Sequence, residues 1–267
     1  MKIGITERGD AGLDFVWFDK LSKKTFYGFP FTGAVLITKN ANPKFQQKVF
    51  DLIQLGFQNI VIHFTCTGWG RTPMEPNVPD VLTQLSYMET MIQNGFPMDH
   101  CVIRVDPIIP TQEGLQKAHT VFQQIQKLQA KYQTRFRIRI SIIDKYQHIC
   151  DRVNPLYEYM WNSKTDFYPS YQERTNVLQL LSSYPDLSFE TCAEPFLAQD
   201  TKKLNITNLT ECGCISEKET ELFHVVNVAT TDYPAQRKGC LCLNCKTELL
   251  ENRKRCPHQC AYCYWHD

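Results

Sequence analysis

Three cysteines near the end of the 267-residue chain have the spacing of metal ligands. Cys256, Cys260 and Cys263 form a C-x₃-C-x₂-C run, and three thiolates so spaced can hold three corners of a four-iron, four-sulfur cluster. Such a cluster normally takes four cysteines, so the missing ligand would leave one iron open to an external molecule. Half of a zinc site is the alternative, but zinc sites favour C-x₂-C pairs and four ligands. The spacing therefore favours an iron–sulfur cluster with one open iron.

The remaining cysteines are unevenly distributed. Nine of the twelve cysteines lie between Cys192 and Cys263, and the other three, Cys66, Cys101 and Cys150, are expected to be buried hydrophobic residues. The N-terminal residues lack the apolar core of a signal peptide, and no apolar run approaches the ~18–20 residues of a membrane span. We therefore expect a cytoplasmic protein, in which clustered cysteines bind metal rather than form disulfides.

Composition excludes several classes of protein. Apolar residues make up 43% of the chain, enough for a full core, so global disorder is excluded. The net charge of +1 does not indicate a protein that coats nucleic acid, which usually needs a basic surface. One basic run, Arg253-Lys254-Arg255, precedes the cysteine motif and is either a solvated loop or a phosphate contact.

Short runs rich in Ile and Val alternate with longer amphipathic segments. The predicted strands are Ile3–Thr6, Ala34–Thr38, Ile60–Thr65, Val102–Val105, Phe136–Ile143 and Leu187–Thr191. The predicted helices are Asp14–Leu21, Pro43–Leu55, Pro79–Asn94, Glu113–Lys131 and Gln172–Ser182. Strand-then-helix steps imply a parallel sheet with right-handed crossovers. We predict an α/β fold: a partial, six-stranded (β/α)₆ TIM-like barrel over residues 1–210, with a Cys-rich extension over residues 211–267 folded across its mouth as part of the same unit.

Charged, polar or metal-binding residues follow every predicted strand. The positions closest to the strand ends are Glu7, Asp10, Lys39, Asn40, Thr65, Arg104, Asp106, Ser141, Asp144, Cys192 and Glu194. In a parallel barrel the carboxyl ends of all strands meet at one rim, where such folds build active sites. The sequence therefore predicts a polar site at this rim.

Short motifs in a fixed order carry a resemblance over nearly the whole chain. They include Thr38-Lys39-Asn40, Thr65-Cys66-Thr67-Gly68, Arg104-Val105-Asp106-Pro107, Ser141-Ile142-Ile143-Asp144, Glu190-Thr191-Cys192-Ala193-Glu194, Gln236-Arg237 and Cys256 to Tyr264. In this order they resemble a functionally unassigned bacterial and phage family of radical-SAM-like proteins whose three-cysteine cluster lies at the C-terminus. The ending is also similar to that of spore photoproduct lyases, which act on damaged DNA. Ser216, where the family tends to have Asp, and residues 245–252 depart from the family pattern.

The resemblance implies a [4Fe-4S] cluster on Cys256, Cys260 and Cys263 whose open iron binds S-adenosyl-L-methionine. One electron would then split this cofactor to methionine and a 5′-deoxyadenosyl radical, which abstracts hydrogen from a substrate. For the cofactor we expect contacts from Lys39, Asn40, Thr65, Arg104 and Ser141, and for catalysis Arg104, Asp106 and Glu194. A zwitterionic methionine and a ribose need both charge signs and hydrogen-bond partners, and these residues supply them.

Four further cysteines match the family, namely Cys192, Cys214, Cys240 and Cys242. A full cysteine set suits a second [4Fe-4S] cluster, which is the favoured interpretation, although a Cys₄ zinc site would fasten the tail to the barrel equally well. The absence of a second metal is a third alternative. Either Cys212 or Cys245 could also replace one of the four ligands.

The expected partners are an external electron donor of the flavodoxin or ferredoxin type and a small-molecule or nucleotide substrate, with no membrane. Two alternatives stay open. One is a radical enzyme that modifies or repairs nucleic acid or nucleotides, suggested by the lyase-like ending and the basic run. The other is a non-catalytic protein that binds an iron–sulfur cluster or zinc.

Overall fold

The computed structural model describes residues 2–24, 28–225, 239–251 and 255–264. Within these ranges eight strands join one sheet, in which every pair of neighbouring strands is parallel. The strands are β1 Ile3–Ile5, β2 Gly33–Thr38, β3 Ile60–Thr65, β4 Cys101–Ile108, β5 Arg137–Ile142, β6 Ser188–Thr191, β7 Leu209–Glu211 and β8 Lys246–Glu248. The predicted motif Gln236-Arg237 and the basic residues Arg253 and Lys254 lie outside the described residues.

Eight α-helices and one 3₁₀ helix, Met98–His100, accompany the strands in the described ranges. The helices are α1 Val16–Ser22, α2 Pro43–Gln54, α3 Val81–Gln93, α4 Gln112–Tyr132, α5 Gln147–Tyr157, α6 Tyr171–Ser182, α7 Pro195–Lys203 and α8 Glu217–Leu222. Among these described helices, none combines the length and the apolar character that a membrane span requires.

Side-chain caps fix where the main helices begin. The side chains of Asn42, Asp80 and Thr111 accept backbone amides in the first turns of α2, α3 and α4. Ser170 and Glu173 form a reciprocal capping box at the start of α6. These caps satisfy amides that lack a partner within the helix, so they fix the residue at which each of these helices begins.

All six predicted strands are present, but the predicted count of six is wrong. The additional strands, β7 and β8, hold three residues each and are the two edges of the sheet, in the order β7-β6-β5-β4-β3-β2-β1-β8. Their sequences, Leu-Thr-Glu and Lys-Thr-Glu, have no apolar run that could reveal a strand. The helices α5, α7 and α8 were also not predicted from the sequence. The chain is therefore an α/β protein with an eight-stranded parallel sheet surrounded by helices.

The sheet curls back on itself. The β1 and β7 strands are six positions apart, which in a flat sheet would separate them by about 29 Å. Yet a carboxylate oxygen of Glu7, just after β1, lies within 4.8 Å of the sulfur of Cys214, just after β7. Within the described residues no strand pairing joins β7 to β8. The carboxyl ends of distant strands therefore meet around one space.

The two faces of the sheet differ in character. The outer face, with residues such as Leu36, Ile62 and Ile103, packs on the apolar sides of the helices in one large core. The opposite face carries a smaller apolar layer that includes Ile5 and Val61. Further along the strands, this inner face bears buried polar and charged side chains, among them His63, Thr65, Arg139 and Glu190. The inner face is thus the polar side on which a site can form.

Candidate functional site

The C-terminal loop, residues 255–264, is fastened to the carboxyl side of the sheet. The Ala261 amide donates to the Met74 carbonyl oxygen, which precedes α3, at 2.9 Å. The guanidinium of Arg152, on α5, donates to the Cys263 carbonyl oxygen at 2.7 Å. These bonds hold the loop through its main chain.

His258 joins the same loop to the end of the first strand. It is 2% exposed, and its Nε2 lies 2.9 Å from Oδ2 of Asp10. The Asp10 carboxylate also accepts the amides of Gly12 and Lys39 and the hydroxyl of Thr38 at 2.6–2.7 Å. Burial by itself would raise the pKa of Asp10, but His258 and these donors lower it below its usual range. Burial likewise opposes a charged His258, and the Asp10 carboxylate outweighs it and raises the pKa of the imidazole.

Lys39, Glu75 and Tyr262 form a buried polar group behind the cysteine loop. The Lys39 ammonium lies 2.8 Å from both Oε1 of Glu75 and the hydroxyl of Tyr262, and the Tyr262 hydroxyl also donates to Glu75. Burial would lower the pKa of Lys39, but the charges of Glu75 and Cys260 raise it well above its usual value. Lys39 is therefore a fixed positive charge next to the cysteine motif.

The three cysteines of the loop influence one another's charge. Burial raises the pKa of the Cys256 thiol to about 11. Burial also raises the pKa of Cys260, opposed by Lys39 and reinforced by the negative charge of Glu75, Cys263 and Cys256. Within the described residues, their sulfurs do not form a set lying within 4.8 Å of one another. One ion between three sulfurs would need a tighter set, whereas a larger cluster takes each sulfur at a separate corner.

A cavity of about 500 Å³ lies at the carboxyl ends of the strands, beside this loop. Residues from the ends of most strands line it together with the aromatic end of the loop. The lining includes Thr6, Glu7, Lys39, Thr65, Arg104, Asp106, Arg139, Ser141, Asp144, Glu194, Lys246, Tyr262, Cys263 and Tyr264. The cavity thus offers both charge signs, hydroxyl groups and one of the three motif cysteines to a bound molecule.

Arg104 and Asp106 are paired across the cavity wall. A guanidinium nitrogen of Arg104 donates to Oδ2 of Asp106, and the hydroxyl of Ser141 donates to the other carboxylate oxygen. Alternation along β4 puts both charged side chains on the inner face. Burial opposes the charge of Arg104, yet Asp106 and Cys214 raise the pKa of the guanidinium above its usual value. The pair therefore presents a charged edge to the cavity, with side chains 18% and 20% exposed.

Four other cysteines meet at the opposite side of the cavity. The sulfurs of Cys192, Cys240 and Cys242 all lie within 4.8 Å of one another, and so do those of Cys214 and Cys242. The Cys192 thiol also interacts directly with the Cys214 thiol. All four side chains line the cavity. The predicted second ligand set is therefore brought together, and it could hold a metal.

Most predicted site residues line one cavity. Among the predicted cofactor and catalytic residues, these are Lys39, Thr65, Arg104, Asp106, Ser141 and Glu194. Asn40 does not line it. Cys256 and Cys260 do not line it either, so Cys263 is the motif cysteine that faces the cavity.

Sequence reasoning missed several polar partners. Nothing in the sequence pattern links His258 to Asp10, which lies 248 positions away in the chain. Glu75 belongs to a stretch between β3 and α3 that carries no strand-end signal, although it is fully buried against Lys39. Arg139 alternates with apolar residues in β5, and this alternation was the one signal that placed its side chain on the inner face.

The family to which this chain belongs is shown by a match over most of its length. Residues 26–265 match the model of a family described as a domain of unknown function, DUF1848. No curated protein and no solved structure matches the chain. The matched region includes seven of the eight described strands, both cysteine groups and every residue predicted to bind the cofactor, a cluster or the substrate's reacting hydrogen, whereas Glu7 and Asp10 precede it. The protein therefore belongs to the DUF1848 family.

Proposed function

We propose that this protein is a radical S-adenosyl-L-methionine enzyme whose [4Fe-4S] cluster is held by Cys256, Cys260 and Cys263. The observation that carries the proposal is the position of these three thiols. They are near one another but too widely spaced for one small ion, and Cys263 borders a cavity lined by charged and hydroxyl side chains. Three thiols without a fourth cysteine in the motif suit a cluster that keeps one iron for a ligand.

The donor set and its surroundings fit such a cluster. Three thiolates carry negative charge, and the buried ammonium of Lys39 offsets part of it close to Cys260. Hydrogen bonds to the main chain of the loop and the His258–Asp10 pair hold the loop in place without using the sulfurs. When bound, the cluster would supply the electron that cleaves S-adenosyl-L-methionine to methionine and a 5′-deoxyadenosyl radical.

The cavity residues have the chemistry to bind and orient that cofactor. Arg104 is a cation at the cavity wall that can pair with a carboxylate, while Asp106 and Glu194 can accept hydrogen bonds from an ammonium group. The hydroxyl groups of Thr65 and Ser141 suit a ribose. Fixed polar groups can hold a charged ligand in one orientation, which is what selective hydrogen abstraction requires.

In this interpretation the curled sheet is a partial (β/α) barrel, and the cysteine-rich tail covers the carboxyl ends of its strands. Active sites of parallel barrels lie at that end, where loops from separate strands meet. The cluster would receive its electron from an external donor of the flavodoxin or ferredoxin type. The substrate would be a small molecule or nucleotide that occupies the remainder of the cavity.

Anaerobic reconstitution with iron and sulfide, followed by S-adenosyl-L-methionine and dithionite, tests the proposal. We expect 5′-deoxyadenosine to form with the wild-type protein, and the variant Cys256→Ala/Cys260→Ala/Cys263→Ala to form none. Cys150→Ala is the matched control, because this buried thiol on α5 belongs to neither cysteine group. A wild-type protein that holds the cluster but leaves the cofactor intact would rule the proposal out and favour a non-catalytic iron–sulfur protein.

A further inference from the structure

The second cysteine group is defined here as Cys192, Cys214, Cys240 and Cys242. We infer that this four-cysteine group is a closed site for a single zinc ion, instead of the auxiliary [4Fe-4S] cluster that the resemblance implies. This inference is independent of the proposed function. It depends on the separation of the sulfurs, on the fold around them, and on where the group lies in the sheet.

The separation of the sulfurs decides between one ion and a cluster. Zinc binds four thiolates tetrahedrally with Zn–S distances of ≈ 2.3 Å, which puts neighbouring sulfurs about 3.8 Å apart. In a four-iron cluster each sulfur binds a different iron, so cysteine sulfurs are on the order of 6 Å apart. The sulfurs of Cys192, Cys240 and Cys242 all lie within 4.8 Å of one another, as do those of Cys214 and Cys242. The spacing of the sulfurs of Cys192, Cys240 and Cys242 matches one tetrahedral ion and is too short for three corners of a cluster, and Cys214 is near enough to Cys242 to be the fourth ligand.

The backbone around the group is shaped to bring the two segments together. The Cys214 amide donates to the Cys242 sulfur at 3.1 Å, a contact that favours a thiolate at that position. The Leu243 amide donates to the Ile215 carbonyl oxygen at 2.9 Å. A side chain at Gly213 would place its Cβ 2.5 Å from the Leu241 carbonyl oxygen, so the residue between Cys212 and Cys214 must be glycine. These contacts bring the two cysteine-bearing segments together at the site.

Nearby charges suit four thiolates. A zinc ion with four thiolates carries a net charge of about −2. The positive charges of Arg104 and Arg139 both interact with Cys214, and the positive charge of Lys246 interacts with Cys242 and Cys240. These cations partly offset the negative charge of the group.

Glu7 is the competing ligand, since its carboxylate lies within 4.8 Å of the sulfurs of Cys214 and Cys242. Both of its oxygens, however, are 3.0–3.2 Å from the Lys246 ammonium, so the carboxylate is already engaged in an ion pair. Its side chain is also 36% exposed, whereas Cys192, Cys214 and Cys242 are buried. Four sulfurs therefore form the more complete ligand set, as in structural zinc sites.

The position of the group gives the ion a structural role. Cys192 directly follows β6, Cys214 comes three residues after β7, and Cys240 and Cys242 precede β8. Within the described residues β7 and β8 are the sheet edges and do not pair with each other. One zinc ion would join the segments next to these edges, which strand pairing does not join. Because Zn²⁺ has no redox chemistry and binds thiolates more tightly than Fe²⁺ does, it suits this purpose.

The test uses the Cys256→Ala/Cys260→Ala/Cys263→Ala variant, which removes the other cysteine group and with it the iron of the proposed cluster. Purified without added metal, it should contain one zinc ion per chain and no iron, and zinc X-ray absorption should show four sulfur neighbours. Adding Cys242→Ala should remove the zinc, while Cys212→Ala should retain it, because the Cys212 thiol instead contacts Ser216. Release of zinc by a mercurial thiol reagent, followed by colorimetry, measures the stoichiometry even if the Cys242 variant does not fold. Iron bound by the triple variant, an oxygen neighbour at the zinc, or a metal-free protein would each overturn the inference.

Discussion

The two cysteine groups of this protein differ in spacing and in what holds them. Three sulfurs of the four-cysteine group lie within 4.8 Å of one another with the fourth beside Cys242, and the group lies next to the two sheet edges. The three motif cysteines stay apart on a loop that is held through its main chain and through His258. A tight, closed set suits an ion that only stabilises, and an open set at a cavity suits a group that must also bind a ligand. Under the two proposals, the spacing of the sulfurs separates a structural from a chemical role within one fold.

Single cysteine substitutions should separate these two roles most strongly. Cys242→Ala should remove the zinc and lower the free energy of unfolding by several kcal/mol, since the binding energy of a structural metal is folding energy. Cys263→Ala should lose iron and cofactor cleavage but unfold at nearly the wild-type temperature, because hydrogen bonds hold its loop. Metal analysis and thermal unfolding of both variants check this. Equal destabilisation by the two substitutions would contradict the division of roles.

Loss of the Asp10–His258 pair should destabilise the three-cysteine loop and leave the four-cysteine group unchanged. Asp10→Ala leaves a buried imidazole without its carboxylate and removes the acceptor for three further donors. Breaking a buried charged pair of this kind costs about 3–5 kcal/mol. We expect hydrogen exchange in residues 255–264 to accelerate and iron content to fall.

Zinc content should stay at the wild-type value in Asp10→Ala, because Asp10 is not part of the four-cysteine group. Asp14→Ala is the control for loss of an acidic side chain in the same loop. Joint loss of both metals in Asp10→Ala would show that the two groups do not fold independently.

Arg104 lines the cavity that both cysteine groups border. If it binds the carboxylate of the cofactor, Arg104→Ala should remove a charge-assisted hydrogen bond worth about 1.5–3 kcal/mol, which weakens binding roughly 10- to 100-fold. Equilibrium dialysis with S-adenosyl-L-methionine measures the loss, with iron and zinc content as internal controls. Arg104→Lys should recover part of the affinity, since the charge stays but the bidentate geometry does not. Unchanged affinity would leave Arg104 as the ion-pair partner of Asp106 alone.

Periodicity predicted the strands that have apolar cores. The buried runs of β2 and β3 were identified nearly to the residue, because every position in them is buried or nearly so. The strands β7 and β8 escaped because three residues with polar neighbours leave no pattern. They form at the edges through main-chain bonds to β6 and β1, which depend on the rest of the sheet being folded.

The sequence predicted where in the fold the candidate site lies, but not which of its side chains pair with one another. Lys39, Arg104 and Glu194, which the sequence placed around strand ends, line one cavity, because parallel strands end on one side. Sequence could not show that Lys39 pairs with Glu75, or that four cysteines converge more tightly than three, since sulfur spacing depends on how loops pack. The distinction between one ion and a cluster therefore needed the structure.

Substitution of His63 should have the smallest effect on stability, and this effect should extend to both cysteine groups. It is fully buried on the inner face, and no hydrogen-bond partner for its ring nitrogens is found among the described residues. Burial, together with Arg139, Arg104 and Arg137, lowers the pKa of the imidazole well below its usual value of about 6.5. The unfolded chain therefore binds a proton below pH 6.5 that the folded protein does not.

Stability should consequently fall as the pH drops below 6.5, by about 1.4 kcal/mol per pH unit from this group once it is protonated in the unfolded chain. This loss ends only below the lowered pKa of the folded state. His63→Leu should remove this group's contribution to the pH dependence of stability, and urea unfolding between pH 5 and 7.5 measures it.

Because the inner face lies beneath both groups, acid unfolding of the wild type should release iron and zinc together. His119→Leu is the control, since the ring of His119 is bonded to Tyr184 outside this face. If the loss of stability with falling pH persists in His63→Leu and disappears in His119→Leu, the proton is taken up by His119 and the prediction is wrong.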